Sequence, residues 1–133
     1  VDVRVLTHED ADWIVERIHA LEPTTPGTEL SIEGAIGRPP MERTEGNREL
    51  WNMAREAADQ LGIELDEVTA GGGSDGNTTS SFAPTLDGMG AVGDGAHAVT
   101  EHLLVDRMVE RTALLACLLM RPPIKPVATG ERR

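Results

Sequence analysis

Proline and glycine cut this chain into short stretches, and that punctuation constrains the fold more than any other feature of its 133 residues. Proline lacks a backbone donor and clashes with the preceding turn, so a helix stops before it and a central strand excludes it. Pro23 and Pro26-Gly27 close one stretch, Gly37-Arg38-Pro39-Pro40 a second, Gly62 a third, and Pro122, Pro123 and Pro126 the last. Each stretch between these stops has its own hydrophobic period, and the period predicts the element.

Val1-Asp2-Val3-Arg4-Val5-Leu6 alternates as a strand does, with no signal peptide or leader before it, so the chain reads as beginning mid-fold. Thr7 stands three residues before Asp10, a variant of the capping box, and predicts a helix start. Ala11, Ile14, Val15, Ile18 and Leu21 then follow the helical period. Leu30, Ile32, Gly34 and Ile36 alternate with Glu29, Ser31, Glu33 and Ala35, which predicts a half-buried strand and makes residues 1–40 a β-α-β unit. After the polar stretch 41–47, a domain crossing, Leu50, Ala54, Ala57, Ala58 and Leu61 mark a second amphipathic helix closed by Gly62. Ile63, Leu65 and Val68 suggest a short strand leading to the glycine cluster Gly71-Gly72-Gly73-Ser74-Asp75-Gly76-Asn77. A loop-rich passage, 84–95, precedes a last helix over 106–121, apolar around most of its circumference from Ala113 on, a pattern that calls for packing on two sides. The tail is expected to be disordered, and the fold class is α/β.

Charge and hydropathy together remove two classes of partner. Asp and Glu number 23 against 12 Lys and Arg, a net charge of −11, and Lys125 is the only lysine. Such a surface repels phosphate backbones, and Trp13, Trp51 and Phe82 are the only aromatics, too few for a base-stacking platform, so no nucleic-acid partner is expected. No apolar run reaches the length of a membrane span, which predicts a soluble protein with no membrane partner. The single cysteine, Cys117, lies in the apolar run 112–120 and has no partner for an internal disulfide, which fits a buried thiol and a cytoplasmic location.

Several residue groups are candidates for chemistry. Gly71-Gly72-Gly73, followed by the N-cap residues Ser74 and Asp75, can aim backbone N–H groups at a carboxylate or a developing oxyanion; a flexible turn is the plainer reading. It is not a phosphate-binding loop, because the lysine and the spacing are both absent. His97, in Gly93-Asp94-Gly95-Ala96-His97-Ala98, is a candidate metal ligand or acid–base group, or else a surface loop residue. With Glu101 it has chelating spacing if the segment is helical, yet two ligands do not make a zinc site. His8-Glu9-Asp10 has a His-x-Asp form, but at a helix start the simpler role of Glu9 and Asp10 is to complement the helix dipole. His19 and His102 have no distinguishing context. Arg4, on the polar face of the first strand, and Arg38, stiffened by the prolines after it, can reach one cleft and grip a carboxylate through the planar guanidinium fork, or can merely balance the acidic surface.

Taken in order, Asp2-Val3-Arg4, Gly37-Arg38-Pro39, Gly71-Gly72-Gly73-Ser74-Asp75, and the run from Leu86-Asp87-Gly88 through Gly95-Ala96-His97-Ala98 to Glu101 resemble the C-terminal part of a known family. It is the dinuclear-zinc amidohydrolase and metallopeptidase family that includes glutamate carboxypeptidases, aminoacylases, acetylornithine deacetylases and succinyl-diaminopimelate desuccinylases. The resemblance covers roughly residues 1–121. Family members have a zinc-binding α/β catalytic domain interrupted by a β-α-β-β-α-β lid that mediates dimerisation. The resemblance therefore implies an incomplete fold, with 1–42 as the second half of an α+β lid, 43–121 as the C-terminal section of the α/β catalytic domain, and 122–133 as a disordered tail.

By the same resemblance His97 looks like the zinc ligand supplied from late in the chain, and Arg4 and Arg38 look like binders of a substrate carboxylate. Gly72 and Gly73 match the loop that touches substrate through its backbone, and Glu101 matches its motif without a catalytic role. The implied cofactor is zinc, two ions in the complete parent. The implied partners are a peptide or N-acyl amino acid substrate bearing a carboxylate and a second copy in a homo-oligomer. The family's His-x-Asp, bridging aspartate and Glu-Glu pair lie upstream of the lid and are missing here, so no catalytic residue is assigned and the fragment alone is expected to be inactive. In the lid the strand order is usually 4-1-3-2, so the two strands assigned to 1–6 and 28–36 flank a strand this chain lacks and expose their ladder groups. The other reading is a small non-catalytic binding or assembly module for an anionic ligand.

Overall fold

Thr7 starts the first helix, α1 (His8–His19): its Oγ accepts the Asp10 backbone N–H at 3.0 Å and its hydroxyl donates to Asp10 Oδ2 at 2.7 Å. Glu9 and Asp10 occupy the first turn and Arg17 and His19 the last, each at the end of the helix dipole that favours its charge. Ala11 is buried on this helix and Ile14, Val15 and Ile18 are half-buried, so these periodic positions form its inner face, whereas Leu21 lies past the helix end and is exposed. The computed structural model describes residues 1–124, and the expected disordered tail lies outside the described residues from position 125 on.

The described chain divides into two compact units. The first comprises Val1–Arg43 with Ala70–Ala83, and the second Thr44–Thr69 with the chain from Pro84 onward. In the first unit α1 is joined by α3 (Asp75–Thr79), capped by Ser74. The alternating segments 1–6 and 28–36 are not strands: among the described residues neither has a ladder partner. Alternation specifies which face a strand buries, whereas a ladder also needs a second backbone at hydrogen-bonding distance. Gly34 adds a local reason, because its φ of +137° breaks the extended run. The short strand expected at residues 63–68 is likewise absent.

In the second unit α2 (Glu45–Leu61) begins at Thr44, whose side chain accepts from Asn47 N, and ends at Gly62, which takes the left-handed conformation (φ 66°, ψ 26°). That conformation strains a residue with a Cβ and suits glycine. The first turn of α2 is held against the chain at 84–85: Thr85 N–H donates to the side-chain oxygen of buried Asn47 at 2.7 Å, and Gly46 leaves the space that Pro84 fills. A hairpin of β1 (Gly93–Asp94) and β2 (His102–Leu103) forms the antiparallel sheet, pairing Gly93 with Leu103 and Asp94 with His102. Helices and a small antiparallel sheet together make a mixed α/β architecture, as the sequence predicts.

The core of this unit lies between α2 and α4 (Val105–Leu119). Leu114 on α4 is wholly buried and meets Ala57 and Ala58 of α2 and Ile63, with Leu65, Met89, Cys117 and Leu118 packed around them. Alanine on α2 lets a branched side chain from α4 fill the space between the helices. Just past the end of α4, Arg121 Nη1 pairs with Glu56 Oε2 of α2 at 2.9 Å. On α4 itself, the hydrogen bond and charge of Glu110 raise the Arg107 pKa above its ordinary value, with Nη1 to Oε2 at 2.6 Å. The other side of α4 carries Val105, Met108, Val109, Leu115 and Leu119, all exposed.

Candidate functional site

Ser74 organises the glycine turn. Its Oγ accepts the Gly76 N–H at 3.0 Å, and its own N–H donates to Asn77 Oδ1 at 2.8 Å, a reciprocal capping box. With its last residue fixed in this way, the turn at Gly71-Gly72-Gly73 presents backbone to two arginines of the same unit. Arg4 donates through Nη1 to the Gly71 carbonyl at 2.5 Å and through Nε and Nη2 to Asp2 Oδ2 at 3.3 and 3.1 Å. Arg38 lies across Gly73 so closely that a Cβ there would fall 2.8 Å from Arg38 Cδ and 2.9 Å from Nη1. Only glycine at 73 admits that side chain without displacement. A Cβ at Gly72, in contrast, would meet nothing within 4 Å.

The arginines differ in their commitments. Arg4 already holds a carboxylate, that of Asp2, although both side chains are largely exposed, at 67% and 76%. The guanidinium of Arg38 is exposed and makes no hydrogen bond or ion pair among the described residues. An unpaired guanidinium fork suits a planar anion approaching from solvent, because each charge-assisted bond is stronger than its neutral counterpart. The structure thus brings Arg4, Arg38, Gly72 and Gly73 into one unit.

His97 belongs to the second unit, in the loop 95–101 that joins β1 to β2. The segment is not helical, contrary to the conditional pairing of His97 with Glu101. Its turns close through Ala98 N–H to Gly95 O at 2.8 Å and Glu101 N–H to Ala98 O at 3.0 Å. His97 is exposed and has a φ of 67°, the one positive value at a non-glycine residue among those described. Left-handed backbone at such a residue costs about 1 kcal/mol or more and is concentrated at functional positions. Among the described residues no three His, Cys, Asp or Glu side chains are grouped to hold a metal ion. The donors among the described residues therefore do not fit a complete zinc centre.

The remaining candidates are structural. Glu9 and Asp10 sit in the first turn of α1, and Glu42 Oε1 takes the His8 N–H at 2.6 Å and lies 2.9 Å from His8 Nδ1. An open concavity of about 410 Å³ in the second unit, lined by Gln60, Cys117, Met120, Arg121 and Pro122, contains no candidate site residue. Two features escape a reading of single motifs. Asp2 occupies the fork of Arg4, a contact its spacing two residues away in an extended segment foreshadows. Asn77 spans the turn, and its place three residues after Ser74 is the signal for it.

A model of the family described as peptidase family M20/M25/M40 matches residues 2–121. No curated protein matches the chain, and no solved structure does. No helix of the described residues is long and apolar enough to cross a membrane.

Proposed function

Because the chain belongs to peptidase family M20/M25/M40, a family of hydrolases whose members generally bind zinc, we propose that it is the late section of a glutamate carboxypeptidase-like or N-acyl amino acid amidohydrolase. In this reading it supplies the grip on the substrate's carboxylate. The observation that carries it is the unpaired Arg38 guanidinium lying across Gly73, with Arg4 hydrogen-bonded to Gly71 of the same turn. A substrate carboxylate displaces solvent at Arg38, exchanges with Asp2 at Arg4, and meets the open face of Gly72.

His97 supplies one imidazole to a zinc centre whose other donors, and whose general base, belong to polypeptide outside these residues. The described residues do not complete the coordination of zinc. What this chain contributes is binding and orientation: a carboxylate fixed at one end holds the scissile amide in register for groups elsewhere. Residues 1–42 form part of a lid through which two copies associate, and the lone Cys117 suits a reducing cytoplasm.

Arg38→Ala in the full-length enzyme tests the reading. Loss of a charge-assisted pair worth about 1.5–3 kcal/mol raises KM for a carboxylate-bearing substrate by about ten- to a hundredfold, with zinc content unchanged. Parallel loss of zinc gives Arg38 a structural role instead. The anion-binding module without chemistry is favoured if full-length protein binds glutamate yet hydrolyses no N-acyl amino acid.

A further inference from the structure

We propose that Asn77 is a positioning residue that sets Arg38 over the glycine turn, an inference that rests on the reading of Arg38 as the carboxylate binder. One carboxamide makes both contacts: Oδ1 accepts the Ser74 N–H at 2.8 Å, and Nδ2 donates to the Pro39 carbonyl at 2.9 Å. Ser74 follows Gly73 and Pro39 follows Arg38, so the amide ties together the residues next to Gly73 and to the arginine that lies across it. The tie is stiff at both ends. Pro39 and Pro40 restrict the backbone on one side, and Pro40 is buried, while the capping box fixes the other.

The chemistry of the side chain is specific. Aspartate has the same shape and still accepts from Ser74, but it has no donor for the Pro39 carbonyl and sets a negative oxygen against it. Asn77→Asp therefore preserves the cap of α3 and removes the strut to the arginine segment. Arg38 is then free to leave Gly73, and the carboxylate must order it on binding.

The test is a double-mutant cycle in the full-length enzyme, read by titration calorimetry with L-glutamate as the probe. Asn77→Asp is expected to weaken glutamate binding about tenfold when Arg38 is present and less than twofold in an Arg38→Ala background. A general loss of structure weakens binding in both backgrounds, so equal losses overturn the proposal while leaving Arg38 as the binder. If Arg38→Ala alone leaves the affinity unchanged, the carboxylate reading fails and the proposal fails with it. A second measurement decides the matter should Asn77→Asp not fold. Exchange of the Asn77 side-chain amide protons in the unmodified enzyme is expected to be slow, and exchange as fast as that of a solvent-exposed asparagine refutes the strut.

Discussion

Replacing Leu114 by alanine separates the two sides of α4 (Val105–Leu119), which the sequence leaves equally apolar. Leu114 is 0% exposed and its neighbours on α2 are Ala57 and Ala58, whose methyl groups cannot swing in to fill the space it vacates. The cost is therefore the transfer term plus nearly the full cavity term, about 3–5 kcal/mol. Against a total stability of about 5–15 kcal/mol for an ordinary domain, that is a large fraction. Leu115 is 45% exposed and Leu119 79%, so truncating either forfeits only part of its burial and opens no cavity, about 1 kcal/mol or less. Urea unfolding of the three variants of this chain, followed by far-ultraviolet circular dichroism, gives the midpoints, and an unchanged slope shows that only stability moved. Equal losses at Leu114, Leu115 and Leu119 refute the assignment of one buried and one uncovered side.

Three further outcomes are expected. Gly62→Ala forces a Cβ into left-handed backbone with φ of 66° and lowers stability by about 1 kcal/mol, measurable by thermal melting; no change means the end of α2 relaxes freely. His97→Ala in the full-length enzyme lowers zinc content and turnover while leaving KM little altered, checked by metal analysis with steady-state kinetics; full zinc retention removes His97 from the centre. Segments 1–6 and 28–36 have no ladder partner among the described residues, so this chain is expected to self-associate in sedimentation at rising concentration, and a strictly monomeric chain counts against the lid assignment.

Helices were legible because their signals are local. Thr7 and Asp10 place a cap and its partner within one turn and Gly62 marks a left-handed end, whereas the Thr44 cap that starts the second helix at Glu45 falls inside the stretch 41–47 read as a polar crossing. The expected second helix and last helix appear as Glu45–Leu61 and Val105–Leu119. Strands were less legible because a ladder depends on a partner remote in sequence. The alternation at 1–6 and 30–36 is real but finds no such partner among the described residues, whereas the hairpin pairing Gly93 with Leu103 rests on Gly95 and its turn rather than on any hydrophobic period. Buried position on α4 was equally hidden, since Leu114 and Leu115 look alike until α2 is placed beside one of them. At the site, residue types pointed to the arginines and the glycine turn. The contact of Arg38 with Gly73 and the span of Asn77 across to Pro39 bring together residues more than thirty positions apart, which spacing alone does not encode.

The most direct measurement is zinc stoichiometry and hydrolysis of N-acetyl-L-glutamate by purified residues 1–133, after dialysis against a weak chelator. With His97 as the chain's single contribution to the metal centre and no grouped donors among the described residues, the chain is expected to hold zinc far below one equivalent and to show no turnover. Tightly held stoichiometric zinc together with hydrolysis contradicts the account.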